Sequence, residues 1–74
     1  MTAQEMFLTK GWRLSNHNNN FYYTKKIGDI LYDIVFDLGN KTYCIFANKN
    51  NNCVLNVYEH QAVSKQMKEF GWIE

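Results

Sequence analysis

Between Phe21 and Leu38, apolar and polar residues alternate with a period of two, and only one two-residue signal, Gly28-Asp29, interrupts them. That pattern constrains the chain more than any other feature. Period two belongs to strands with one buried face, and a two-residue Gly-Asp loop belongs to a tight hairpin. A loop at 28–29 sets Ile27 opposite Ile30, Tyr23 opposite Ile34 and Phe21 opposite Phe36. Gly39-Asn40 reads as a second turn, which places Phe36 opposite Tyr43 and Ile34 opposite Ile45 on a strand over 42–48. One face then holds Phe21, Tyr23, Ile27, Ile30, Tyr32, Ile34, Phe36, Tyr43 and Ile45, and this is the expected core face. The opposite face is mixed. Tyr22, Leu31, Val35, Cys44 and Phe46 form an apolar centre, ringed by Thr24, Lys26, Asp33, Asp37 and Thr42.

The flanks change period from two to helical. Thr2 and Glu5 have the spacing of a capping box, and Ala3, Met6, Phe7 and Lys10 follow along one side of a short helix. Gly11 stands at the left-handed C′ position, with Trp12 at C″ and Phe7 at C3, the pair that meets in a Schellman ending. A second helix over 59–70 carries Ala62, Val63, Met67 and Phe70 and closes the same way, with Gly71 at C′, Trp72 at C″ and Met67 at C3. The tracts around Asn18-Asn19-Asn20 and Asn50-Asn51-Asn52 read as loops, residues 12–15 as a brief extra strand, and 53–58 as the last strand of a meander. The Asn-rich loop leaves open whether Leu55 and Val57, or Val54 and Tyr58, point to the core. The expected fold is therefore α+β: an antiparallel meander of three to four strands, with a short N-terminal helix and a C-terminal helix packed on one face. Residues 1–74 form a single domain.

Composition excludes several functions. A chain of 74 residues buries only about 60% of its unfolded surface, which leaves little protein to wall a deep pocket. Hydrophobic residues are 46% of the chain, enough to build a core. No apolar run approaches the ~18 residues of a membrane span, and no basic region precedes an apolar stretch as in a secretory signal. The expected location is the cytoplasm. Eight Lys plus Arg against seven Asp plus Glu give a formal charge of +1, a poor electrostatic footprint for nucleic acid.

No catalytic, cofactor or metal site is legible. His17 and His60 stand at ligand spacing neither from each other nor from a cysteine. His17 reads as a loop residue, and His60 as a first-turn residue of the last helix. With a loop at 49–52, Cys44 faces Val57 and not Cys53, so the two cysteines read as free thiols. Nucleophile, phosphate-loop and dinucleotide signatures are missing. Asp29, Asp33 and Asp37 lie along one strand without a cleft to desolvate them, so the chain is not expected to be an enzyme. Lys25 and Lys26 beside Tyr22 and Tyr23 offer the ingredients of a base-stacking platform, and a small nucleic-acid-binding protein is the alternative reading. Lys25 itself belongs to the core face, where its stem would snorkel outward. The sharper lead is the mixed face, whose apolar centre and polar rim have the anatomy of a protein interface. The bland arrangement, in which the first helix or strand folds over that face or leaves it as a half-wet sheet, stays equally open.

The pattern Ala3-x-Glu5-Met6-Phe7…Gly11-Trp12, then Phe36-Asp37…Lys41-Thr42-Tyr43, then Lys65-Gln66…Glu69-Phe70-Gly71-Trp72 resembles small uncharacterised proteins of Firmicutes phages and prophages. The likeness spans nearly the whole chain and departs mainly in the longer Asn-rich loops. Its motifs are helix stops and sheet positions, so no binding residue transfers. It implies a phage accessory role in the bacterial host cytoplasm, of the kind that binds and blocks a host protein. Inhibitors of CRISPR nucleases are one such class. The expected function is then a non-enzymatic protein-binding module without cofactor, whose partner is a host protein such as a nucleic-acid-processing enzyme. Tyr22, Asp29, Leu31, Asp33, Val35, Asp37 and Phe46 are its candidate contact residues, with the acids suited to a basic groove. Self-association as a homodimer through the same face is compatible with this reading.

Overall fold

The computed structural model describes residues 1–48 and 55–73. Helix α1 (Ala3–Thr9) leads into strands β1 (Arg13–His17), β2 (Asn20–Ile27), β3 (Ile30–Asp37) and β4 (Thr42–Ala47), and helix α2 (Val57–Glu69) follows. The strands form one antiparallel sheet in the order β1-β2-β3-β4. The fold is the expected α+β meander between two helices.

The register follows from the turns. Ile27 pairs with Ile30, Tyr23 with Ile34 and Phe21 with Phe36 across β2–β3, and Phe36 pairs with Tyr43 across β3–β4. Gly28 takes a positive φ of 60° at the first loop position, as a type II′ hairpin needs. The first hairpin was hidden in the asparagine tract. Asn18 and Asn19 both adopt positive φ, 50° and 65°, so they form a two-residue loop that pairs His17 with Asn20. Two consecutive left-handed residues define a type I′ turn, and asparagine tolerates that region better than other side chains. The brief strand at 12–15 is in fact the five-residue β1, and His17 lies on it rather than in a loop.

The last expected strand does not form where it is described. Residues 49–54, which carry the expected third turn, Cys53 and Val54, lie outside the described residues. Val57 and Tyr58 are in α2, whose N-cap is Asn56. The apolar run resembles a strand, but Asn56 and Glu59 form a reciprocal capping box that starts a helix there. The fourth strand of the sheet is therefore β1, and the expected pairing of Cys44 with Val57 does not exist. Leu55 packs against the core, whereas Val57 is exposed.

Both helices end as expected. The Trp12 N–H donates to the Phe7 carbonyl at 3.1 Å and the Gly11 N–H to Leu8 at 3.1 Å, while Trp72 and Gly71 donate to Met67 and Lys68 at 2.9 and 3.0 Å. These are the two bonds of a Schellman motif, used twice. Each turn swings a tryptophan back over the sheet. Trp12 is buried, and Trp72 packs at a tilt against Phe70 and Phe36 with ring centroids 5.0 and 6.2 Å away.

Phe7 of α1 stacks on Tyr23 of β2 at 4.0 Å, and Tyr23 meets Phe36 of β3 edge-on at 6.1 Å. The series of rings crosses the core from α1 to the C-terminus. Each fully buried side chain in it contributes roughly 1.5–3 kcal/mol by removal from water. The polar side chains buried in the core among the described residues are satisfied. The Tyr23 hydroxyl donates to Gln66 Oε1 at 2.5 Å. The indole N–H of Trp12 donates to Glu59 Oε2 at 2.8 Å, and the same oxygen lies 3.7 Å from Lys25 Nζ. Lys25 thus reaches out from the core face, with its ammonium 5.7 Å from the Trp12 ring centroid.

Two stability measurements follow. Gly71 has a φ of 80° with no atom within 4 Å of an added Cβ, so Gly71→Ala meets only backbone strain. It should cost about 1–2 kcal/mol in denaturant unfolding, whereas Gly39→Ala, at a position without positive φ, should stay within about 0.5 kcal/mol. Burial, followed by the Glu69 carboxylate, pushes the Tyr23 phenol up to about 12. The folded state therefore holds that proton more tightly than the unfolded chain. The contribution of Tyr23 is complete below pH ~10 and is lost as pH rises toward 12. A pH series of chemical denaturation should show this decline, and Tyr23→Phe should remove it while lowering neutral-pH stability by about 1–2 kcal/mol, because Gln66 loses its donor.

Candidate functional site: the open face of the sheet

Both helices pack on the same side of the sheet. Phe7, Trp12, Ala62 and Val63 join Tyr23, Ile34 and Phe36 in a single core. Neither α1 nor β1 folds across the opposite face, and β1 instead extends it by a strand.

Register lays that face out in cross-strand rows. Ser15, Tyr22, Val35 and Cys44 form one, Arg13, Thr24, Asp33 and Phe46 the next, and His17, Asn20, Asp37 and Thr42 a third. Lys26 and Leu31 pair beyond them toward the β2–β3 turn. Phe46 is 56% exposed and Leu31 41%, large values for apolar side chains in a sheet. Cys44 is an exposed free thiol beside them. Six of the seven expected contact residues, Tyr22, Leu31, Asp33, Val35, Asp37 and Phe46, thus share one surface.

Two of the acids stand differently. Asp29 is in the β2–β3 turn, at the end of the sheet and off the face. Asp37 is on the face, but its Oδ1 accepts the backbone N–H of Gly39 and Asn40, and its Oδ2 accepts from the Asn40 side chain. The Asn40 bonds, ahead of that from Gly39, hold its carboxyl below the usual aspartate range. Asp37 fixes the 37–41 turn, which is an aspartate's common role at such a position. Asp33 accepts a 2.6 Å hydrogen bond from the Thr24 hydroxyl across the strand pair. The acidic line seen in the sequence is thus two carboxylates held by local donors and a third in a turn.

A cationic corner was not legible in the sequence. Arg13, Thr24, Lys26, Leu31 and Gly11 line a shallow depression of about 420 Å³ at the β1 end of the face. Arg13 joins it only because β1 pairs with β2, so the Asn18-Asn19 turn was the signal that held it. A second depression, about 320 Å³, lies between the helices and is lined by Met6, His60, Gln61, Ser64, Lys65 and Lys68.

Among the described residues no group of three or more His, Cys, Asp or Glu side chains is placed to hold a metal ion. Among the described residues the buried carboxylate is Glu59, with Oε2 accepting from Trp12 and Oε1 accepting the Asn56 backbone N–H. Both oxygens serve the fold. No helix among the described residues is long and apolar enough to cross a membrane. Comparison with known protein families, curated proteins and solved structures found no match to the chain.

Proposed function

We propose that this domain is a non-enzymatic protein-binding module whose interface is the open face of the sheet. One observation carries the proposal: an uncovered sheet face bearing Leu31, Val35, Cys44 and Phe46 at its centre, opposite a fully formed core. Patches of this kind, rimmed by polar groups, mark binding surfaces. A rigid sheet loses little conformational freedom when it docks, so a small contact suffices for useful affinity. Tyr22 and Phe46 are the natural anchors, since aromatic residues dominate binding energy at interfaces.

The finer reading is a phage-borne inhibitor that occupies a surface of a host protein, for instance a CRISPR nuclease or another nucleic-acid-processing enzyme, in the host cytoplasm. It rests on the likeness to small phage proteins and on the mixed charge of the face. Arg13 and Lys26 gather at one corner while Asp33 and Asp37 lie farther along, a pattern that suits a partner carrying both signs. Nucleic acid is the second reading, favoured by that corner together with Tyr22. A phosphate backbone would gain two cations there and then run against Asp33.

Affinity capture from a bacterial lysate, compared between the wild type and Phe46→Asp, tests the proposal. The wild type should retain a protein that Phe46→Asp loses, while the variant stays folded with a modestly lowered melting temperature, because Phe46 is more than half exposed but the new carboxylate faces Asp33 across the strand pair. A partner retained equally by Phe46→Asp would place the interface elsewhere. Recovery of nucleic acid alone, weakening steeply with salt, would favour the second reading.

A further inference from the structure

The sheet has two edges, and they differ in chemistry. The β1 edge is short and carries Arg13 and His17. The β4 edge, Thr-Tyr-Cys-Ile-Phe-Ala, has no charged residue and no proline. Natural sheets commonly guard an edge with charge, proline or a bulge, because an unguarded strand invites pairing. Among the described residues no strand lies beyond β4.

The hydrogen-bond alternation shows which groups this edge offers. The Asn48 N–H donates to the Leu31 carbonyl at 3.1 Å. In an antiparallel ladder every second residue bonds to the same neighbour. Thr42, Cys44 and Phe46 therefore face β3 with their backbone groups, and Tyr43, Ile45 and Ala47 direct N–H and C=O away from it.

We propose that this edge pairs with the same edge of a second copy, β4 antiparallel to β4 about a two-fold axis through Ile45, giving one continuous eight-stranded sheet. Side-chain size and charge argue for a copy of this chain as the occupant. In that register Tyr43, which is 40% exposed, lies opposite Ala47 of the second copy, large against small, and Ile45 meets its own counterpart. On the open face Cys44 lies opposite Phe46 of the second copy, a favourable sulfur–aromatic neighbour. Thr42–Ala47 carries no charged side chain, so no like charges meet within the paired strands. The same operation on β1 would set Arg13 opposite His17, a pair without the large-against-small fit of Tyr43 and Ala47. The two open faces would join into a single doubled surface. This inference stands independently of the proposed protein partner, because it uses the backbone edge rather than the face.

Sedimentation equilibrium of the full chain over a wide concentration range is the test. The wild type should show a reversible monomer–dimer equilibrium. Ala47→Pro removes one outward N–H without touching the β3–β4 ladder, and should weaken dimerisation at least tenfold. A wild type that stays monomeric to millimolar concentration, or a folded Ala47→Pro variant that dimerises as well as the wild type, would overturn the proposal. Phe46→Cys in a Cys53→Ser background covers the case in which proline unfolds the strand. It sets a thiol opposite Cys44 of the second copy, and oxidation with glutathione disulfide should give a covalent dimer that a further Cys44→Ser abolishes. Residues 44 and 46 of one strand cannot bridge each other, because neighbours on one face of a strand are about 7 Å apart. A protein that yields no covalent dimer, or yields one without Cys44, would refute the register.

Discussion

The buried carboxylate of Glu59 sets the arrangement of this domain. Glu59 closes the capping box that starts α2, accepts the indole N–H of Trp12, and lies beside the ammonium of Lys25. The first contact begins a helix, the second ties it to the end of α1, and the third ties it to β2. A buried charge is costly unless hydrogen-bonded and paired, and these three contacts supply Glu59 with both. Once they form, both helices lie on one side of the sheet. The Ala3 N–H donating to Glu69 Oε2 at 3.0 Å repeats the link between helices at the other end of α2. The open face follows from this: two short helices cover one side of the four strands, and among the described residues no element lies across the other.

The local devices that build this arrangement were legible where one residue type has one use. Gly28-Asp29 specified its hairpin, and the pairing of Phe21, Tyr23 and Ile27 followed without long-range information. The Gly-Trp helix endings were equally readable, because the left-handed glycine and the apolar residue after it both have fixed places in the motif. Residues with two uses were misread. Asparagine makes loops of any length, so Asn18-Asn19 did not advertise a two-residue turn, and β1 was underestimated with it. Val57 and Tyr58 favour strands by propensity, yet Asn56 and Glu59 together outweigh them, since a satisfied cap is a stronger local signal than a short β-prone run.

The candidate site was legible in part for the same reason. Parity along β3 and β4 placed Leu31, Val35 and Phe46 together correctly. It also placed Asp33 and Asp37 on the face, but sequence parity says nothing about what a carboxylate already holds. Asp37 is committed to its turn and Asp33 to Thr24, which leaves the face more apolar in function than its composition suggests. Arg13 was invisible as a neighbour of Lys26 until β1 was seen to pair. Whether the face was covered depended on where α1 packs, a tertiary choice made by Trp12 and Glu59, 47 residues apart in the chain.

One sheet face is covered by both helices while the other meets solvent, and the proposed binding surface depends on that division. NMR with a soluble paramagnetic gadolinium chelate tests it directly on side chains. Protons of Leu31 and Phe46 should relax strongly on addition of the probe, and those of Ile34, Phe36 and Val63 should stay near their baseline rates. Protection of Leu31 and Phe46 equal to that of Ile34 in the monomer would mean that something covers the second face, and would contradict the division.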